Sequence, residues 1–154
     1  MPNRRQTLKL LGVMALGLVN DGVLAQSKPS GLKGLEAVVY KSPACNCCGE
    51  YANFLKEYGV KVRVVLQDDL GPIKARYRIP AEAQSCHTVH IEGYVVEGHV
   101  PLAALQKLFR ERPKIDGIAL PGMPIGTPGM PGSKTEPYRV LSLKNGQLTP
   151  FATF

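Results

Sequence analysis

Glu36-Ala37-Val38-Val39-Tyr40, then Lys41-Ser42-Pro43-Ala44, then Cys45-Asn46-Cys47-Cys48-Gly49 follow one another without a break, and their reading decides the fold. The first five residues form an apolar run with no polar alternation, as a strand buried on both faces should. The next four make a loop. From Cys45 or Cys47 to Tyr58 the residues Tyr51, Phe54, Leu55 and Tyr58 recur at three- and four-residue spacing, which predicts a helix, and Gly59 stops it. Val60 to Leu66 is a second, Val-rich strand. The whole reads as a βαβ unit with a cysteine cluster where the first strand hands over to the helix.

Three thiols in four positions cannot all pair with one another in an unstrained disulfide. A cluster this dense points to thiolate chemistry. Cys45 and Cys48 form a CxxC at a helix start, where free N–H groups and the helix dipole favour a thiolate. That alone suggests a disulfide oxidoreductase, with Cys45 attacking and Cys48 resolving. The extra Cys47 argues against a simple one, because it offers the redox pair a wrong partner. Several converging thiolates instead make a pocket for a soft metal. Such ligands favour Cu(I); Zn²⁺ also takes Cys₄ or Cys₃His, but this spacing is not a usual structural zinc pattern.

The chain's only other cysteine is Cys86, followed at once by His87. Between the βαβ unit and Cys86, Asp68 or Asp69 can cap a short helix running to about Tyr77, which Pro80 closes. Beyond Cys86, two β-rich runs flank Glu92-Gly93, which reads as a tight hairpin ending at His99. With that turn, Ile91 faces Tyr94, Val89 faces Val96 and Cys86 faces His99, about 5 Å apart at Cβ. His99 is therefore a ligand candidate. His87 alternates to the opposite face if the strand is regular from its start, and joins the site only if the Ser85-Cys86-His87 corner is irregular. His90, further along, reads as an ordinary strand histidine.

Pro101 should open another helix at its first position, with Leu102, Leu105, Leu108 and Phe109 on one face. Residues 117–137 are rich in Gly and Pro and predict an irregular loop. Pro-Gly-Met-Pro occurs in it twice, at 121–124 and 128–131. Met123 and Met130 are the only methionines after residue 25, and each is a candidate thioether ligand or flap, or an apolar plug pinning the loop. Tyr138–Leu143 and Gln147–Phe151 flank Lys144-Asn145-Gly146 as a C-terminal hairpin. The fold class is thus α/β, with a β-α-β-α-β-β-α core of thioredoxin-like type, a Gly/Pro-rich loop and a C-terminal β-hairpin. In thioredoxins a cis-proline precedes the third strand; Ser85-Cys86-His87 takes that place here without one.

Residues 1–25 read as an export signal: Arg4, Arg5 and Lys9 precede an apolar run from Leu10 to Val19, and Val23-Leu24-Ala25 fits a cleavage site. The run is too short to span a bilayer. The paired arginines suggest the twin-arginine route, with Sec export as the alternative. Residues 26–34 read as a linker and 35–154 as one domain. The formal net charge of +7 falls to +5 once Arg4, Arg5, Lys9 and Asp21 are removed. There is no basic block and no basic–aromatic ladder, which excludes nucleic acid as the expected partner. Nothing predicts an integral membrane protein after cleavage.

Tyr40 to Gly49, Ser85 to Thr88, Glu92 to Pro101, and Pro121-Gly122-Met123-Pro124 with Pro128-Gly129-Met130 together resemble the bacterial CopG-type copper-resistance proteins. The resemblance covers residues 36–154. It implies a periplasmic, thioredoxin-like copper-binding protein, a multi-copper thiolate cluster, Cu(I)/Cu(II) interconversion and other periplasmic copper-handling proteins as partners. It carries over Cys45, Cys47, Cys48 and Cys86 as ligands, and with them His99, Met123 and Met130. A binding protein is expected ahead of a copper oxidoreductase.

Overall fold

The computed structural model describes residues 31–154. The expected export signal and the first part of the linker lie outside the described residues. Leu32, which the sequence placed in the linker, is fully buried in the core, and Gly34 N–H donates to the Gly59 carbonyl, so the domain begins earlier than residue 35.

The architecture is mixed α/β. The strands are β1 (Glu36–Lys41), β2 (Lys61–Leu66), β3 (His87–Ile91), β4 (Tyr94–Glu97), β5 (Gly117–Ala119), β6 (Arg139–Lys144) and β7 (Gln147–Thr153). The helices are α1 (Asn46–Glu57), α2 (Gly71–Arg76) and α3 (Leu102–Glu111). The seven strands form one sheet in the order β2-β1-β3-β4-β5-β6-β7. β1 and β2 are parallel, as a helical crossover requires, while β3 runs against both β1 and β4.

The β3–β4 register is the expected one, with Ile91 opposite Tyr94 and Val89 opposite Val96. Its turn places Glu92 at φ 48° and Gly93 at φ 85°, the left-handed pair that two-residue hairpins favour. Asn145-Gly146 closes β6–β7 in the same way, at 52° and 76°. Asp69 Oδ1 accepts the Gly71 N–H at 2.8 Å and starts α2. Pro101 stands just outside α3 rather than in its first position, with extended dihedrals.

One expected irregular stretch is not irregular. Gly117–Ala119 forms β5, parallel to β4 and antiparallel to β6. The apolar Ile118-Ala119-Leu120 run is too short to show a period within Gly/Pro-rich surroundings. A Cβ at Gly117 would lie 1.9 Å from the Val95 carbonyl oxygen, so only glycine lets β5 close on β4.

Apolar residues sort the two sheet faces. Val39, Val89, Ile91, Val96 and Ile118 pack with Tyr51 and Leu55 of α1 and Leu105 and Leu108 of α3. Each fully buried Leu contributes about 2 kcal/mol. On the other face a smaller cluster, Ile79, Ala83, Val95, Ala119 and Leu143, lies with Tyr77 at the end of α2. No described helix is long and apolar enough to cross a membrane.

Candidate metal centre

β1 ends at Lys41, whose register partner His87 opens β3, while β4 ends at Glu97 opposite Thr88. The loop after β1, the entry to β3 and the exit from β4 therefore meet at one end of the sheet. Cys45 occupies the N-cap of α1 with an extended backbone and no side-chain cap, so the first helical N–H groups face the cysteines.

Cys45 and Cys48 are joined by a disulfide, and Cys47 and Cys86 are free thiols. Cys47 Sγ lies 3.4 Å from Cys45 Sγ, and Cys48 Sγ lies 3.5 Å from the Cys86 carbonyl oxygen. All four sulfurs, Cys45, Cys47, Cys48 and Cys86, lie within 4.8 Å of one another. A second group of three shares Cys86: its sulfur and one nitrogen each of His87 and His99 also lie within 4.8 Å of one another.

Hydrogen bonding fixes His99. Its Nδ1 lies 2.7 Å from the Pro128 carbonyl, which can only accept, so Nδ1 carries the proton. Nε2 is left with its lone pair, 3.1 Å from Cys86 Sγ. A backbone carbonyl holding the far nitrogen while the near one faces the pocket is the usual support of a metal-ligating histidine. Burial, with the nearby Cys47 sulfur adding to it, pushes the Cys86 thiol up to about 11. In the metal-free protein Cys86 is therefore a thiol and donates to His99 Nε2. A metal would have to displace that proton.

His87 follows the irregular-corner alternative. Cys86 lies outside β3, at an irregular corner, so its side chain does not have to oppose that of His87. His87 Nδ1 approaches Cys86 Sγ at 3.4 Å, and its Nε2 is the one buried side-chain nitrogen or oxygen among the described residues without a partner. Its ring packs 4.6 Å from Tyr51 and 4.7 Å from His99, centroid to centroid. Burial first, then the nearby His99 and Lys74, holds His87 down to about 3. His90 sits on the other face, stacked on Tyr77 at 5.5 Å, as an ordinary strand histidine should.

That depression has a consequence for the metal-free protein. Between pH 6.5 and 3 an unfolded chain protonates this imidazole and the native one does not, so stability falls as the pH drops through that window. The full loss is on the order of 5 kcal/mol at its acid end. Denaturant unfolding between pH 7 and 4 should show the decline, and His87→Phe should flatten it. An equal slope in the two proteins would refute the assignment.

Sequence reasoning gave no site role to Tyr51, Pro128 or Gly129. Tyr51 is fully buried against both imidazoles and donates its hydroxyl to the Val100 carbonyl at 2.9 Å. Burial pushes its phenol well above the usual range, so it stays neutral. A Cβ at Gly129 would lie 2.7 Å from the Cys47 carbonyl oxygen and 3.2 Å from His99 Nδ1. The duplicated loop thus reaches the site through its Pro-Gly backbone. Met123 is 52 % exposed, and Met130 borders a groove with Glu50, Asn53, Phe54 and Glu57 of α1. The signal was present in the sequence: a Pro-Gly step packs closely and turns sharply, whatever residue follows it.

A family pattern described as a protein of unknown function, DUF411, matches residues 83–130, which include Cys86, His87, His99 and both methionines. Two solved structures, both titled copper resistance protein copG, form 1 and form 2, superpose with a TM-score of 0.71 at 39% sequence identity. Each covers 78% of this chain, and this chain covers 97% and 98% of theirs. No curated protein matches the sequence.

Proposed function

The chain belongs to the family of the copper-resistance protein CopG, and from that membership we propose that it is an exported copper-binding protein of copper resistance and homeostasis. The observation that carries the reading is the mutual approach of four sulfurs within 4.8 Å, three from the start of α1 and one from the entry to β3. The donor set fits the ion. Thiolates select Cu(I), and His87 Nδ1, 3.4 Å from Cys86 Sγ, and the lone pair of His99 Nε2 add nitrogen donors beside them. Cys45, Cys47, Cys48 and Cys86 would hold the metal, with His99 and His87 as further ligands. Met123 and Met130 would serve as thioether ligands or a cover. Zinc would suit the same atoms, but soft sulfur favours copper.

We read the β1-α1-β2-α2-β3-β4-α3 portion as thioredoxin-like. Parallel β1 and β2, antiparallel β3 and β4, and a cysteine at the start of α1 facing the entry to β3 support this. Export to the periplasm would follow from residues 1–25, by the twin-arginine or the Sec route. Other periplasmic copper-handling proteins would deliver or receive the metal.

The disulfide gives the pocket a redox state. While Cys45 and Cys48 are bonded, only two thiols are free to ionise. Opening the bond takes two electrons and two protons, the electrons that two Cu(I) ions release on becoming Cu(II). Cu(I)/Cu(II) interconversion is therefore part of the proposal. The experiment is an anaerobic Cu(I) titration of reduced and disulfide-bonded protein, followed by copper-edge X-ray absorption. The reduced form should bind more copper, with a sulfur-dominated shell; equal stoichiometry in both forms would remove Cys45 and Cys48 from the site.

The same disulfide favours a second reading, a thiol–disulfide oxidoreductase using Cys45 and Cys48. Rapid insulin reduction without copper, abolished by Cys45→Ser, would establish it in place of copper binding.

A further inference from the structure

Cys86 is the one thiol of the pocket that α1 does not position, and the corner that carries it has neither strand pairing nor a cis peptide to fix it. Its support comes from the opposite face of the sheet. Glu97, at the end of β4, is fully buried there, and its Oε1 accepts the Ser85 N–H at 2.7 Å. The same carboxylate pairs with Lys74 Nζ of α2 through a very short contact, and Oε2 accepts the Thr88 hydroxyl at 2.6 Å. Lys74 also donates to Thr88 Oγ1 at 3.2 Å. Ser85 is held from a second direction, its hydroxyl donating to the Gly122 carbonyl at 2.6 Å. Gly98 leaves room for this approach: a Cβ there would lie 2.8 Å from Ser85 Cβ.

A buried ion pair contributes little net stability compared with an apolar pair of the same volume. What the Lys74–Glu97 pair uniquely provides here is an acceptor, at a fixed point, for the amide next to Cys86. Resting on the reading of the cysteines as a copper pocket, we infer that Glu97, anchored by Lys74, is a positioning residue: it holds the Ser85-Cys86 corner so that the fourth sulfur meets the other three.

The test compares two charge-neutral double variants of similar volume. K74M/E97Q keeps an acceptor for Ser85 N–H; K74M/E97L does not. K74M/E97Q should bind Cu(I) as the parent protein does. K74M/E97L should bind about tenfold more weakly, the range seen when an outer-shell partner of a ligand is removed. Adding Cys86→Ser to each should erase the difference, because the effect runs through that thiol. A metal-free readout accompanies it. In a Cys47→Ser background with the disulfide intact, Cys86 is the only free thiol, and maleimide should label it about fivefold faster in K74M/E97L than in K74M/E97Q, because the amide oxygen that accepts the Ser85 N–H is gone. Should K74M/E97L not fold, Ser85→Pro read against Ser85→Ala removes the donor instead. Gln84, at φ −66° and ψ 141°, already suits the residue before a proline. Equal labelling rates within the pair of variants that folds would overturn the inference. So would equal Cu(I) affinities. A parent protein that binds no Cu(I) would sink the copper reading alone, and labelling would still decide the positioning role.

Discussion

Replacing Cys86 by Ser should weaken Cu(I) binding by the reduced protein about a hundredfold while leaving the fold intact. Four-ligand thiolate and imidazole sites hold zinc with about 10–16 kcal/mol; on that scale one ligand of four accounts for about 3 kcal/mol, or about two powers of ten. The substitution trades sulfur for oxygen in a half-buried position outside any strand, so little packing changes. Competition against a calibrated Cu(I) chelator measures the affinity, and X-ray absorption should report one sulfur fewer. The size of the effect follows from the geometry: Cys86 is the only ligand common to the four-sulfur group and the sulfur–imidazole group. A variant that kept full affinity would show that the triplet on α1 binds alone.

The second large effect concerns Gly129. Its φ of +85° is left-handed, which costs an alanine about 1–2 kcal/mol. The added Cβ would also press within 2.7 Å of the Cys47 carbonyl oxygen and 3.0 Å of the Tyr51 nitrogen, and overpacking of that kind costs about 1–3 kcal/mol. Gly129→Ala should therefore destabilise the protein by about 2–5 kcal/mol. It should also lift Pro128 away from His99 and free the imidazole to exchange tautomers. Gly122→Ala is the control. It shares the left-handed backbone, at φ +72°, but its Cβ meets nothing within 4 Å, so it should lose only the strain. Denaturant melts of both and the imidazole ¹⁵N shifts of His99 measure the two parts; equal melts would mean that the loop does not bear on α1.

The elements were legible where one physical rule dominated. The aromatic spacing of Tyr51, Phe54 and Tyr58 marks α1, and Glu92-Gly93 fixes the hairpin so firmly that pairing Cys86 with His99 followed by counting. β5 escaped because three apolar residues between glycines and prolines show no period. His87 was open because alternation holds only inside a strand, and the chain enters β3 one residue after Cys86. The disulfide state was not legible either, since three thiols in four positions permit more than one pairing. The methionines drew notice for their chemistry, whereas the contacts on the pocket come from Pro128 and Gly129, whose role depends on backbone carbonyl direction and close approach. Neither leaves a mark in composition. Glu97 was hidden for a related reason: a glutamate at a strand end reads as solvated until a lysine from a distant helix is seen against it.

The short strand β5 carries a cost for anyone trimming the chain. It is the seam that joins the terminal hairpin to β4, and the segment between β5 and β6 supplies the carbonyl that orients His99. A version ending after α3 would keep every cysteine and all three histidines. It would nonetheless bare the backbone edge of β4, an invitation to pair with another molecule, and leave the second imidazole of the pocket to rotate. What looks like an appendage is a keystone.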